Sequence, residues 1–143
     1  MFSKTYAFDA ATGLLKRDAA QAALTADAWV GTQWDQGSPA ATDIIAIINI
    51  ESVDIANSDE TYEFLIVGSQ TSDRSDAQIL GRAKIGDAAA IAIETVDAAA
   101  GDRVEIRCRT EIGLTKFQYV DLYLDVSGTS PSVGFSAYIS KEM

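Results

Sequence analysis

The sequence predicts an all-β fold of short strands, a sandwich or a barrel. Three observations predict it. Apolar and polar residues alternate with a period of two in "RVEIRCRTEI" (103–112), "KFQYVDLYLDV" (116–126) and "SVGFSAYIS" (132–140). The isoleucine-rich run "DIIAIINIESVD" (43–54) has the composition of a strand buried on both faces. Clusters of Gly, Asn, Asp and Ser punctuate the chain between these runs. At 143 residues the chain fits one domain. A chain of that size buries roughly 70% of the surface its unfolded form exposes, enough for a core without disulfides.

Residues 1–40 read differently from the rest. "GLLKRDAAQAALTADAW" (13–29) is alanine-rich and has the propensity for about four helical turns, but its apolar positions form no 3.6-residue stripe. "GTQWDQGSPA" (31–40) is loop chemistry. The expectation is an N-terminal arm over 1–40, with a short strand or helical turn, ahead of a sandwich over 41–143. No repeat, linker or low-complexity segment divides the chain.

The strands follow in order. After 43–54 comes the turn-rich "ANSD", then "ETYEFLIVGSQ" (60–70). "SQTSDRSDAQ" (69–78) is a polar loop, and "AQILGRAKI" (77–85) a short strand or connection. "DAAAIAIETVDAAAGD" (87–102) carries a short strand around Ile91 to Thr95 and a turn at its end. In 103–112, Val104, Ile106 and Cys108 face inward, and Arg103, Glu105, Arg107 and Arg109 outward. In 116–126 the inward set is Val120, Leu122, Leu124 and Val126. In 132–140 it is Val133, Phe135, Ala137 and Ile139.

Charge and composition narrow the function. With 21 acidic against 11 basic residues the net charge is −10. Nucleic acid and anionic membranes are therefore not expected partners, since phosphate neutralisation supplies that affinity. A partner with a basic face fits better. The opening "MFSKTYAFDAATG" lacks a signal-peptide core, and no apolar run reaches the roughly 18 residues of a membrane span, so a soluble, untargeted product is expected. There is no histidine, the commonest general base and metal ligand. The single cysteine, Cys108, falls in phase with Val104 and Ile106 and reads as a small buried hydrophobe. No enzyme activity, cofactor or metal is expected.

Candidate chemistry is sparse. Asp121 and Asp125 sit on one strand face about 13 Å apart by strand rise, too far for a carboxylate dyad. "NSDET" (57–61) has calcium-ligand residue types without the spaced ligands or closing glutamate of a calcium loop. "GSQTSDRSD" (68–76) lacks the lysine and helix of a phosphate loop. Trp29 and Trp34, with Phe2, Tyr6 and Phe8 ahead of them, give the arm more aromatic area than a solvated tail needs. One tryptophan is expected in the core, and the remaining aromatics are candidates for contact with a partner.

The ending "YVDLYLDVSGTSPSVGFSAYIS" (119–140) resembles the C-terminal strands of the jelly-roll cement (decoration) proteins of tailed-bacteriophage heads. That family often shows an aromatic-Val-Asp-Leu-Tyr strand, a Gly-Thr-Ser/Thr-Pro turn and a final alternating strand. Here these are Tyr119 to Leu124, Gly128 to Pro131 and Val133 to Ser140. "LTADA" (24–28), the isoleucine-rich strand and "YEFLIVGSQTSD" (62–73) are similar as well, so the likeness touches about half of the chain. The alanine-rich stretch "LLKRDAAQAA" and the two tryptophans depart from it. The resemblance implies an antiparallel, jelly-roll-like β-sandwich with an N-terminal arm. It implies a homotrimer on the outer capsid surface of the virion, made in the host cytoplasm, that binds the major capsid protein and bridges capsomers. Capsid or neighbour contacts would come from Phe2, Tyr6, Phe8, Trp29 and Trp34. Subunit contacts would come from Arg103, Arg107, Arg109, Tyr119, Asp121, Tyr123, Asp125 and Tyr138. The alternative of another class is a carbohydrate-binding β-sandwich module, whose exposed tyrosines and tryptophans would stack on sugars.

One register follows from charge. If 103–112 and 116–126 are hairpin neighbours, keeping both apolar faces inward restricts the pairing to even register sums. Charge then favours Arg107 opposite Asp121, Arg103 opposite Asp125 and Arg109 opposite Tyr119 over the register that sets Glu105 opposite Asp125.

Overall fold

The computed structural model describes residues 13–91 and 94–141, and its described regular structure is strand apart from a single 3-10 turn at Ala88–Ala90. The strands are β1 (Leu15–Arg17), β2 (Ala28–Ala40), β3 (Asp43–Val53), β4 (Thr61–Ser69), β5 (Gln78–Gly86), β6 (Arg103–Arg109), β7 (Glu111–Ile112), β8 (Thr115–Ser127) and β9 (Val133–Lys141). They form an antiparallel sandwich. One sheet has the order β1-β9-β3-β6, the other β2-β8-β4-β5, with β7 paired to the start of β8. The hydrogen-bonded pairs β4–β5, β3–β6, β2–β8 and β1–β9 nest one inside the next along the chain. This wound-ribbon order is jelly-roll-like.

The inward residues read from alternation are the ones that build the core. Val104 and Ile106 of β6, Val120, Leu122 and Leu124 of β8, and Val133, Phe135, Ala137 and Ile139 of β9 are buried together; Cys108 and Val126 pack partly buried against them. Phe64 of β4 meets Phe135 of β9 edge-on, ring centroids 5.1 Å apart, and joins the two sheets. β3 is buried on both faces: Ile44 and Ile48 lie in the core, and Ile45 and Ile47 between them are equally inaccessible.

Two expectations are corrected, and a third falls partly outside the described residues. Residues 28–40, read as the end of an arm, are a thirteen-residue edge strand, and Leu15–Arg17 is an edge strand of the other sheet. The alternation in β2 is interrupted, because the β2–β8 register shifts between Val30 and Trp34 and again between Asp35 and Ala40. Of the short strand expected around Ile91 to Thr95, residues 92 and 93 lie outside the described residues; Ile91, Glu94 and Thr95 are not in a strand. And β6 and β8 are not neighbours. The chain crosses between sheets at Thr110, so Arg107 stands opposite Ile45, Arg103 opposite Asn49 and Arg109 opposite Asp43, all on β3. Buried Thr110 fixes that crossing. Its hydroxyl donates to the Ala40 carbonyl (2.6 Å) and accepts from the amide of Thr42 (2.8 Å) and the side chain of Gln36 (3.2 Å).

The shift in β2 brings two backbones together. At Gly31, φ is +73°, and a Cβ there would lie 2.3 Å from the Lys16 carbonyl oxygen. Gly37 has a similar φ of +85° with nothing near its missing Cβ. Gly31→Ala therefore combines backbone strain with a collision, whereas Gly37→Ala has the strain alone. Denaturant unfolding should show G31A losing at least about 1 kcal/mol more stability than G37A. Equal losses would mean that β1 does not approach β2 this closely.

Candidate interaction surface

The outward face of the five-stranded sheet is built around one buried carboxylate. Asp121 of β8 is 2% exposed. Its Oδ1 and Oδ2 each accept a hydrogen bond of 3.0 Å from Arg74, and Oδ2 also accepts from Gln33 Nε2 at 2.8 Å. A carboxylate removed from water needs such partners, and the two-pronged guanidinium contact is the strongest kind. The loop between β4 and β5 delivers Arg74. Its own polar residues brace it: Asp73 accepts from Thr71 and from the Ser75 amide, and Asp76 accepts from the Gln70 amide. Arg74 has φ +62°.

Lys16 stands behind this cluster, 4% exposed. Its Nζ donates to the carbonyls of Thr32 (2.7 Å) and Val120 (3.2 Å), at the point where the β2–β8 ladder shifts. Burial pulls its pKa down to about 8; the charge of Asp121 acts against that fall and Arg74 adds to it. Arg17, next along, donates to the carbonyls of Phe135 (2.9 Å) and Ala22 and lies over the Phe135 ring.

In front of Asp121 the face is aromatic. The Arg74 guanidinium lies 4.2 Å from the Trp29 ring centroid. Trp29 is 41% exposed and meets Tyr123 edge-on at 4.8 Å. Across the sheet, Trp29, Tyr123, Leu65 and Arg82 form one row of register partners. The next row is Asp125, Glu63 and Lys84, extended by Asp27, whose Oδ1 accepts from the Val126 amide at 2.7 Å. Burial, then the charges of Asp27 and Glu63, raise the pKa of Asp125, and Lys84 opposes them. Burial and the same neighbourhood, through Asp27 and Asp125, raise that of Tyr123.

The predicted contact residues divide. Trp29, Tyr123 and Asp125 share this face, and Tyr119 lies further along β8, opposite Asp35. Asp121 is on the same strand face but is enclosed by its own chain, so it is a framework residue and not a subunit-contact group. Trp34 is in the core at 6% exposure and is not a contact residue. Arg103, Arg107, Arg109 and Tyr138 belong to the other sheet, so the tyrosines of 119–140 do not make one face. Arg103 pairs with Glu105 (3.0 Å), and Arg109 with Asp43 (3.2 Å) and Glu111 (3.3 Å). Phe2, Tyr6 and Phe8 lie outside the described residues. Reading the sequence missed Lys16, Gln33 and Arg74; a lysine in an alanine-rich stretch and an arginine in a polar loop give no signal of burial.

"NSDET" is a tied turn. Glu60 accepts from Asn57 and the Asp59 amide, and Asp59 accepts from Thr129 in the β8–β9 turn, which holds its carboxyl below the usual range. No cluster of described His, Cys, Asp or Glu residues could hold a metal ion. Burial pushes the Cys108 thiol up to about 12, consistent with a packed hydrophobe.

No family model matches the sequence, and no curated protein matches it. Among solved structures, the chain is similar to the CBM22-1–GH10 modules of the N-terminal endo-1,4-β-D-xylanase 10B of Clostridium thermocellum, a structure in complex with xylohexaose. The identity is 10%, the match covers 80% of this chain and 20% of that chain, and the TM-score is 0.39. The chain thus spans about a fifth of that structure's length, and a likeness at this level carries no functional argument.

Two measurements probe the cluster. Asp121→Ala strands Arg74 and Lys16 and should cost about 3–5 kcal/mol, whereas Arg74→Ala leaves Asp121 with Gln33 and Lys16 and should cost less. Equal losses in denaturant would show that Gln33 and Lys16 do not hold the anion without Arg74. The second measurement uses pH. The folded pKa of Lys16 lies below the unfolded value of 10.5, so the unfolded chain binds more protons between pH 8 and 10.5. Stability from this group therefore rises with pH across that window, by up to about 3 kcal/mol. Tyr62 and Cys108, both raised, act in the opposite sense at alkaline pH. The difference between wild type and Lys16→Met isolates the lysine. It should shift in favour of wild type from pH 8 to 10.5, and a flat difference would count against the buried ammonium.

Proposed function

We propose that the chain is a cement (decoration) protein of a tailed-bacteriophage head, bound as a homotrimer to the outer surface of the shell and bridging its capsomers. One observation carries the reading. The segments of the sequence resemblance are framework: Tyr119 to Leu124 lie in β8, Val133 to Ser140 in β9, and each of these strands has hydrogen-bonded neighbours on both sides in its own sheet. Gly128 to Pro131 makes the turn that crosses between the two sheets. The likeness thus falls on the part of the chain that sets the sandwich, not on an interchangeable loop. A bracing role needs a stiff body and docking faces and asks for no cofactor. The major capsid protein is the partner, and Phe2, Tyr6, Phe8 and Trp29 are assigned to contacts with it or with a neighbouring subunit.

The second reading, a carbohydrate-binding module, is favoured by the exposed indole of Trp29 beside Tyr123. Arg74 already occupies one side of that indole, which reduces the ring area open to a sugar. It ranks second for that reason.

Capsid shells assembled without this protein should bind it and withstand higher temperature once bound, and light scattering should report a trimer, free or released from shells. Removing residues 1–12 should leave the circular-dichroism spectrum unchanged and lower shell occupancy. A monomer that ignores shells but binds a glycan array would replace this reading with the second one.

A further inference from the structure

The outward face of the five-stranded sheet keeps an arrangement that works against its own stability. Asp125 stands directly opposite Glu63 in the β8–β4 ladder, and Asp27 lies at the end of the same row. Like charges directly opposite one another destabilise a sheet. Arg82 reaches Glu63 at 3.9 Å, and Lys84 is Glu63's register partner. Yet at Asp125 the attraction of Lys84 is outweighed by each of the two neighbouring carboxylates. Local rules broken in this way concentrate at functional sites.

The adjoining row shows how this face holds a guanidinium. Arg74 stacks on Trp29 and sends two hydrogen bonds to Asp121. Further along β8 the same ingredients recur, an aromatic ring at Tyr123 and, four residues from Asp121, a carboxylate at Asp125, and no described guanidinium stacks on that ring. The three carboxylates are not among groups able to hold a metal ion. Asp27 and Asp125 also share a hydrogen bond, which answers part of the repulsion within the row. A partner's cation would answer the rest, and a net charge of −10 favours a basic partner surface.

We infer that this face is the shell-docking face: an arginine or lysine of the capsid shell seats against Tyr123 among Asp27, Asp125 and Glu63, with Trp29 as the aromatic anchor at its edge. For the identity of the partner the inference rests on the cement-protein reading. The chemistry it names is a basic side chain on a protein surface, recognised by stacking and by charge-assisted hydrogen bonds.

The test is Asp27→Asn with Asp125→Asn, measured for binding to shells assembled without this protein, over a range of salt. Melting temperature and light scattering are recorded on the same samples. Removing the repulsion should leave the melting temperature unchanged or raise it, while affinity for shells falls about tenfold or more and becomes less sensitive to salt. A purely structural role would lower both together. Glu105→Gln, on the other sheet, should bind as wild type does. The inference is overturned if the double variant binds shells like wild type, if Glu105→Gln weakens binding equally, or if the double variant loses the trimer, which would assign the face to subunit contact. Failure of the wild-type chain itself to bind shells would remove the cement-protein reading, and the docking face with it.

Discussion

A buried anion at Asp121 positions three parts of the chain that share little else. Gln33 comes from edge strand β2, Arg74 from the β4–β5 loop, and Lys16 from edge strand β1 across the sandwich. A carboxylate at 2% exposure is costly unless its bonded partners Gln33 and Arg74 are in place, and Lys16 adds its charge to that hold. The three-residue β1 would be weakly held by its ladder alone. Instead Lys16 reaches carbonyls of the five-stranded sheet, and Arg17 a carbonyl of the four-stranded one. Two buried cations therefore make β1 a tie between sheets. The ammonium also supplies donors to Thr32 and Val120 where the β2–β8 register shifts, so the irregularity of β2 and the burial of Lys16 explain each other.

Much of the sandwich was legible from alternation. β3, β4, β6, β8 and β9 fall where period-two patterns or a continuous apolar run place them, and their inward residues are the core. Alternation says which residues face inward, but not which sheet a strand joins. The expected pairing of Arg107 with Asp121 rested on cross-strand charge, worth only about 0.2–1 kcal/mol. The crossing at Thr110 places β6 and β8 in different sheets and forbids it. β2 was illegible for another reason. Its shifts at Gly31 and near Gly37 break the period, so a strand looks like a loop. The candidate surface was half legible. Trp29, Tyr123 and Asp125 drew attention as residue types, whereas the roles of Lys16, Gln33 and Arg74 depend on contacts far apart in sequence.

The two outward faces differ in how their charges are settled. On the four-stranded sheet, Arg103 and Arg109 find carboxylates within their own strand, its neighbour or the following β7: Glu105, Asp43 and Glu111. Such exposed pairs add little stability, but they balance the face locally. On the five-stranded sheet, Asp121 is satisfied so fully that its charge is withdrawn from the surface, and Arg74 is consumed in doing it. That leaves Asp27 and Asp125 beside Glu63, which Arg82 reaches at 3.9 Å, next to exposed Trp29 and half-buried Tyr123. The internal cluster thus shapes the external surface. By holding Arg74 over Trp29 and Asp121, the fold keeps that guanidinium engaged away from the outer row. The same fold thus buries one carboxylate of β8 with its own guanidinium and leaves another, Asp125, beside Glu63 and Asp27 on the outer row.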